Sequence, residues 1–128
     1  MIEMESLRWE SRTDAPTGVR IYRLRGVLGD SEESHAFLSA AREQMHVEPR
    51  RLLLDFGGIE RMTSAGVSVV IAVHKAAVAA GRTVALAALS RRNEMILEIA
   101  QVFRYLPSFD DERAALDACT ADGWDPSR

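Results

Sequence analysis

Hydrophobic and polar positions change period several times along the chain, and each change marks an element. Residues Val19 to Leu28 (VRIYRLRGVL) set Val19, Ile21, Tyr22 and Leu24 among Arg20, Arg23 and Arg25. That is the rough alternation of a half-buried strand. A strand near Leu7 to Ser11, and a turn over Asp14 to Gly18 containing Pro16, complete an N-terminal antiparallel hairpin. Asp30 or Ser31 can cap a helix running to about Val47, with Phe37, Leu38, Ala41 and Met45 as its apolar face and Pro49 as its stop. Leu52 to Phe56 is an apolar run with one acid near its end, the pattern of a strand buried on both faces. Gly57-Gly58 is expected to break that strand, and a loop to lead on to Thr63.

Helical spacing returns from about Ser64 to Ala80, with Gly81 placed as a left-handed terminator. Val67, Val70, Ile71, Val73, Ala77 and Val78 cover one broad side of this helix; Ser68, Ala72, Lys75 and Ala79 lie opposite. Thr83 to Leu89 reads as a second buried strand. Ser90 or Asn93 opens a helix whose apolar positions are Met95, Ile96, Ile99, Val102, Phe103 and Leu106, closed by Pro107. Ser108-Phe109 is a short strand, and Asp111 to about Ala121 a last helix with an acidic first turn. The fold class is therefore α/β: a sandwich on a mixed sheet of about four to five strands, an N-terminal antiparallel hairpin plus a parallel βαβ unit, with about four helices. Residues 1–121 are expected to form one domain, and 122–128 a loose C-terminal tail.

Composition narrows the function classes. A length of 128 residues, 47% apolar and 27% charged, suits one ordinary globular core. The net charge is −3, and the arginines are scattered, so no basic stripe offers a path for nucleic acid. Cys119 is the only cysteine, which excludes an intrachain disulfide. The N-terminus MIEMESLRWE lacks the apolar core of a signal peptide, and the run Ala65 to Ala80 is too short and too polar to insert in a membrane. His35, His46 and His74 are far apart in sequence, with no metal-ligand spacing. A cytoplasmic protein without metal or cofactor is the expectation.

Candidate chemistry concentrates in LLLDFGGIERMTSAGVSVVIAV, Leu52 to Val73. The letters DFG at Asp55 to Gly57 lack the phosphate loop, strand lysine and catalytic-loop acid that a kinase needs, so Asp55 reads as a carboxylate at a strand end. Ser64 stands in Met62-Thr63-Ser64-Ala65-Gly66, where a hydrolase elbow would need glycine in place of Met62. A nucleophilic role is thus a poor fit. A helix cap by Ser64 or Thr63 fits well, and a helix N-terminus also seats a phosphate favourably. Cap and modifiable switch are compatible roles for the pair. His74 falls on the apolar side and reads as a partly buried structural histidine.

The element order and the segment LLLDFGGIERMTSAGVSVVI resemble the STAS domain of anti-sigma factor antagonists. That family's pattern is a buried strand ending in Asp or Asn, a loop, an apolar residue, Asp-Ser-(Ser/Thr/Ala)-Gly and a helix-opening apolar residue. Asp55, Met62, Ser64, Ala65, Gly66 and Val67 match it. The likeness runs from about Val19 to Ala118 and includes GRTVALAALSRRNEMILEIAQVFRYLPSF. It implies a STAS-like sandwich and a non-enzymatic partner switch. Such a protein binds a serine-kinase anti-sigma factor, is phosphorylated by it on the serine that maps to Ser64, and is restored by a phosphatase. The docking surface would include Gly57, Gly58, Met62, Thr63, Ser64, Gly66, Ser68 and Ala72. Two positions depart from the pattern. Thr63 replaces the acid before the serine and becomes a secondary phosphorylation candidate. Gly26-Val27-Leu28-Gly29 replaces Gly-Glu-Leu-Asp, with Asp30 one place later. The (Ser/Thr)-Ala-Gly pattern also resembles the STAS subunit of bacterial phospholipid ABC transporters, which would make an ABC ATPase the partner and dispense with phosphorylation.

Overall fold

Alternation along the N-terminal third folds as a hairpin: β1 (Leu7–Asp14) runs antiparallel to β2 (Val19–Leu28). Asp14 shapes the turn, its carboxylate accepting from the Thr17 amide at 3.2 Å and the Thr17 hydroxyl at 2.7 Å. The computed structural model describes residues 6–47, 51–120 and 123–124. Pro49, expected to stop the first helix, and Ala121, the expected end of the last, lie outside the described residues.

After the hairpin come α1 (Glu32–Gln44), β3 (Arg51–Met62), α2 (Ser64–Ala79), β4 (Thr83–Ala87), α3 (Arg91–Ile99), β5 (Ser108–Phe109) and α4 (Glu112–Ala118). The strands form one sheet in the order β1-β2-β3-β4-β5, with every pair after the first parallel. Serine and aspartate caps start three of the helices. Ser31 accepts from the Ser34 amide, Ser90 from the Asn93 amide and Asp111 from the Ala114 amide.

Side chains alternate across the sheet, so β2, β3 and β4 each feed two cores. Tyr22, Leu24, Leu52, Leu54, Phe56 and Leu86 join Phe37, Ala41, Val70, Val73 and Leu97 on the face covered by α1, α2 and α3. Val19, Ile21, Leu53, Ala85 and Ala87 pack with Ala115 and Leu116 of α4 on the other.

Three expectations are corrected. Gly57-Gly58 does not end the strand. β3 continues to Met62 by pairing with β2, and it takes up two extra residues as bulges: Arg23 and Arg25 face Asp55 and Gly58, and Gly26 and Val27 face Ile59 and Arg61. Glycine here bends a strand that has lost its β4 partner, since β3–β4 pairing stops at Asp55. The third helix stops early. Gln101 takes a left-handed φ of 62° and divides α3 from a 3-10 turn at Val102–Arg104. Within the shortened helix Met95 and Ile99 face solvent, with Ile99 80% exposed, and Leu97 fills the core instead. The tail also holds an anchor. Trp124 is buried against α4, and its Nε1 donates to the Ala115 carbonyl at 2.9 Å. The expected loose tail therefore does not extend to Trp124; residues 125–128 lie outside the described residues.

Candidate functional site

The end of β2 and the start of α2 are locked together by one carbonyl. Leu28 O accepts from the Thr63 amide at 3.0 Å as the chain leaves β3. One residue further, α2 begins. Thr63 is its N-cap, with extended backbone and a side-chain oxygen that accepts from the Gly66 amide at 3.3 Å. Of the two hydroxyls that could cap, Thr63 takes the role. Its Oγ1 faces inward beside Gly29, where an added Cβ would stand 2.8 Å away.

That assignment leaves Ser64 as the first helical residue, exposed, with its carbonyl accepting from the Ser68 hydroxyl at 3.4 Å. Its position combines solvent access with the positive end of a 16-residue helix. No acid occupies the first turn of α2. Asp30, on the adjoining β2–α1 connection, is exposed and hydrogen-bonded to His35 Nε2 at 2.8 Å.

Gly66 is buried for a steric reason. A Cβ there would run into the Leu28 carbonyl oxygen and lie 2.9 Å from Met62 Cγ. The glycine two places after Ser64 thus lets the first turn of α2 sit directly on the end of β2. Met62, 4% exposed, fills the space beneath.

The eight residues expected to form a docking surface therefore separate. Ser64 and Ser68 are exposed, Thr63 and Ala72 half-buried, and the four follow one another along the outer side of α2 and its cap. Met62 and Gly66 lie underneath and present nothing to a visitor. Gly57 and Gly58 are exposed, but β3 is extended between them and Thr63, which sets them roughly 15 Å back along the strand.

Residues beyond that set also face outward on α2. Val78 is 62% exposed, and Ile71, His74, Lys75, Ala79 and Tyr105 line a shallow groove of about 420 Å³ beside it. The wheel assigns Ile71 and Val78 to the buried side, but the core accepts only the narrower arc of Gly66, Val69, Val70, Val73 and Ala77. His74 stacks on Tyr105 with ring centroids 4.5 Å apart, and burial lowers its pKa. It is a packed, half-buried side chain, as its place on the wheel suggests.

Hydrolytic chemistry finds no support in this geometry. His35 bonds Asp30, His74 stacks on Tyr105, and no histidine is hydrogen-bonded to Ser64 among the described residues. Among those residues no cluster of three metal-ligating side chains occurs, and no helix is long and apolar enough to cross a membrane.

Comparison with known proteins agrees with this architecture. The STAS domain family matches residues 10–115. No curated protein matches the sequence. Several solved structures share the fold at low identity. An anti-sigma factor antagonist from Mycobacterium paratuberculosis is 16% identical, with a TM-score of 0.74 over 88% of this chain and 93% of its own. The Bacillus cell fate determinant SpoIIAA in its phosphorylated form is 20% identical, with a TM-score of 0.62 over 86% and 97%. A sulfate transporter family protein from Wolinella succinogenes is 18% identical, with a TM-score of 0.66 over 80% and 84%.

Proposed function

We infer that this chain, which belongs to the STAS domain family, works in the cytoplasm as a non-enzymatic partner-switching regulator of the anti-sigma factor antagonist type. Its unphosphorylated form binds a serine-kinase anti-sigma factor through the outer side of α2. Phosphorylation of Ser64 by that kinase ends the association, and a phosphatase restores it.

The observation that carries this reading is the division of work between two neighbouring hydroxyls. Thr63 holds the cap, which leaves the Ser64 hydroxyl exposed. Phosphorylating Thr63 would sacrifice the cap and force a bulky group against Gly29, so Thr63 is the inferior acceptor. A phosphate on Ser64 meets the first-turn amides and the helix dipole, worth about 0.3–1 kcal/mol in favour of the fold. It also adds about −1.5 to −2 charges. A partner seated over Ser64 would have to bury that charge unpaired, at a cost of roughly 2–5 kcal/mol. Modification therefore blocks docking without disturbing the domain.

The absence of any acid in the first turn of α2 favours a second reading. Without an acid beside the serine for a kinase to recognise, the same ledge would serve as a permanent docking face for an ABC ATPase or a signalling scaffold. Incubation with candidate serine-kinase anti-sigma factors and ATP, followed by intact-mass measurement, separates the two. The switch predicts a gain of about 80 Da that disappears in Ser64→Ala. An unchanged mass under conditions where the kinase modifies its other substrates refutes the switch.

A further inference from the structure

Behind the sheet, away from Ser64, one row of paired positions crosses four strands. Glu10 of β1 faces Arg23 of β2, Arg23 faces Asp55 of β3, and Asp55 faces Ala87 of β4. Alternation turns all of these toward α4. The first residue of α4, Glu112, descends onto the row. Arg23 grips it with both arms of its guanidinium, Nε to Oε2 at 2.6 Å and Nη2 to Oε1 at 2.9 Å, and Arg12 of β1 approaches at 3.6 Å. Arg23 thereby holds Glu112 beside Asp55, the residue it faces across β3.

Two carboxyl groups crowded around one arginine repel each other when both are ionised, and a proton held between them removes that repulsion. Asp55 is the better site for that proton. Glu112 already receives two arginine contacts, whereas Asp55 Oδ1 receives only the Gly57 amide, at 2.7 Å, on a half-buried side chain. We propose that Asp55 and Glu112 form a proton-operated latch that joins α4 to strand β3 at the Gly57 bulge.

Closed, the Asp55 carboxyl donates its proton to Glu112, which stays ionised under Arg23 and Arg12. Opening breaks that one O–H bond, releases one proton to solvent and leaves two like charges side by side. α4 then loses part of its hold over Val19, Ile21, Leu53 and Ala85. Of the other charges facing the pair, Arg12 and Arg23 favour ionisation of both acids, while Glu10 and Asp14 lie further out, near Arg25 and Arg12 respectively.

Burial, followed by the contact with Glu112, raises the Asp55 pKa to about 6, and the Arg23 bond holds that of Glu112 down at about 2. The sign for Asp55 follows. Its folded value lies above the unfolded 3.8, so its stabilisation is present at low pH and is lost as pH rises through about 6. Linkage makes the folding equilibrium about tenfold more favourable at pH 5 than at pH 8 from this group alone.

Urea unfolding of the wild type and of Asp55→Asn at pH 5 and pH 8 tests the latch. The asparagine amide donates to Glu112 without titrating, so the wild-type ratio of folding constants between the two pH values should exceed the variant's by about tenfold. Equal ratios overturn the proposal. Carbon-detected NMR titration of the Asp55 carboxyl in the wild type gives a check independent of how the variant folds. A midpoint near 6 supports the latch, and one near the ordinary value of 3.8 overturns it.

Discussion

Replacing Gly66 with alanine sets two well-measured effects against each other. Alanine is favoured over glycine inside a helix by about 1 kcal/mol. Propensity alone therefore predicts that Gly66→Ala stabilises α2. The local geometry opposes it. The new methyl would overlap the Leu28 carbonyl oxygen, stand 2.8 Å from the carbonyl carbon and 2.9 Å from Met62 Cγ. Met62 can rotate, but the carbonyl cannot withdraw freely, because it accepts the Thr63 amide that anchors the helix start. Overpacking of this kind costs roughly 1–3 kcal/mol. Weakening the anchoring hydrogen bond adds about 1 kcal/mol. Less the propensity gain, the expected loss is about 1–3 kcal/mol, or roughly 3–10 °C in Tm for a domain of this size. Urea and thermal unfolding, followed by circular dichroism, measure it directly. A Gly66→Ala protein as stable as the wild type, or more so, would refute the claim that Gly66 is required by the approach of α2 to β2.

Thr63→Ala removes the cap from Gly66 and should cost about 1 kcal/mol in urea unfolding, while Thr63→Ser retains most of it. Ser64→Ala should leave stability within about 0.5 kcal/mol of the wild type, because the hydroxyl it removes caps nothing. Trp124→Ala empties a site on the α4 face of the sheet and strips the Ala115 carbonyl of its donor. Calorimetry should find it about 3–5 kcal/mol less stable, whereas removal of a loose tail would change nothing.

Local signals in the chain carry most of the architecture. The turn at Asp14 to Gly18, the caps at Ser31 and Ser90, and the runs that became β2 and β4 are each written in a few adjacent residues. So is the start of α2, although two consecutive hydroxyls left it open which would cap; packing beside Gly29 settles the matter for Thr63. Harder to read was anything decided by a distant partner. Gly57-Gly58 has the composition of a break, and only the pairing of β2 with the far half of β3 keeps that segment extended. Met95 and Ile99 fit the apolar face of a long amphipathic helix, but the helix ends before a left-handed Gln101 and both side chains stay in solvent. The back-face cluster joins Arg23 to Glu112 across 89 residues, a separation over which no periodicity speaks. In the site itself the motif located Ser64 and Gly66, but it gave no means of telling the exposed serine from the buried glycine that supports it.

Partner switching of this kind depends above all on the accessibility of Ser64 to a docking partner. Titration calorimetry of the cognate kinase with the wild type, Ser64→Ala and Ser64→Asp tests that point directly. Ser64→Ala should bind within a fewfold of the wild type. The charge in Ser64→Asp should weaken binding by roughly 30-fold or more, with its circular dichroism unchanged. Equal affinity for all three proteins would place the partner elsewhere on the domain and contradict docking over Ser64.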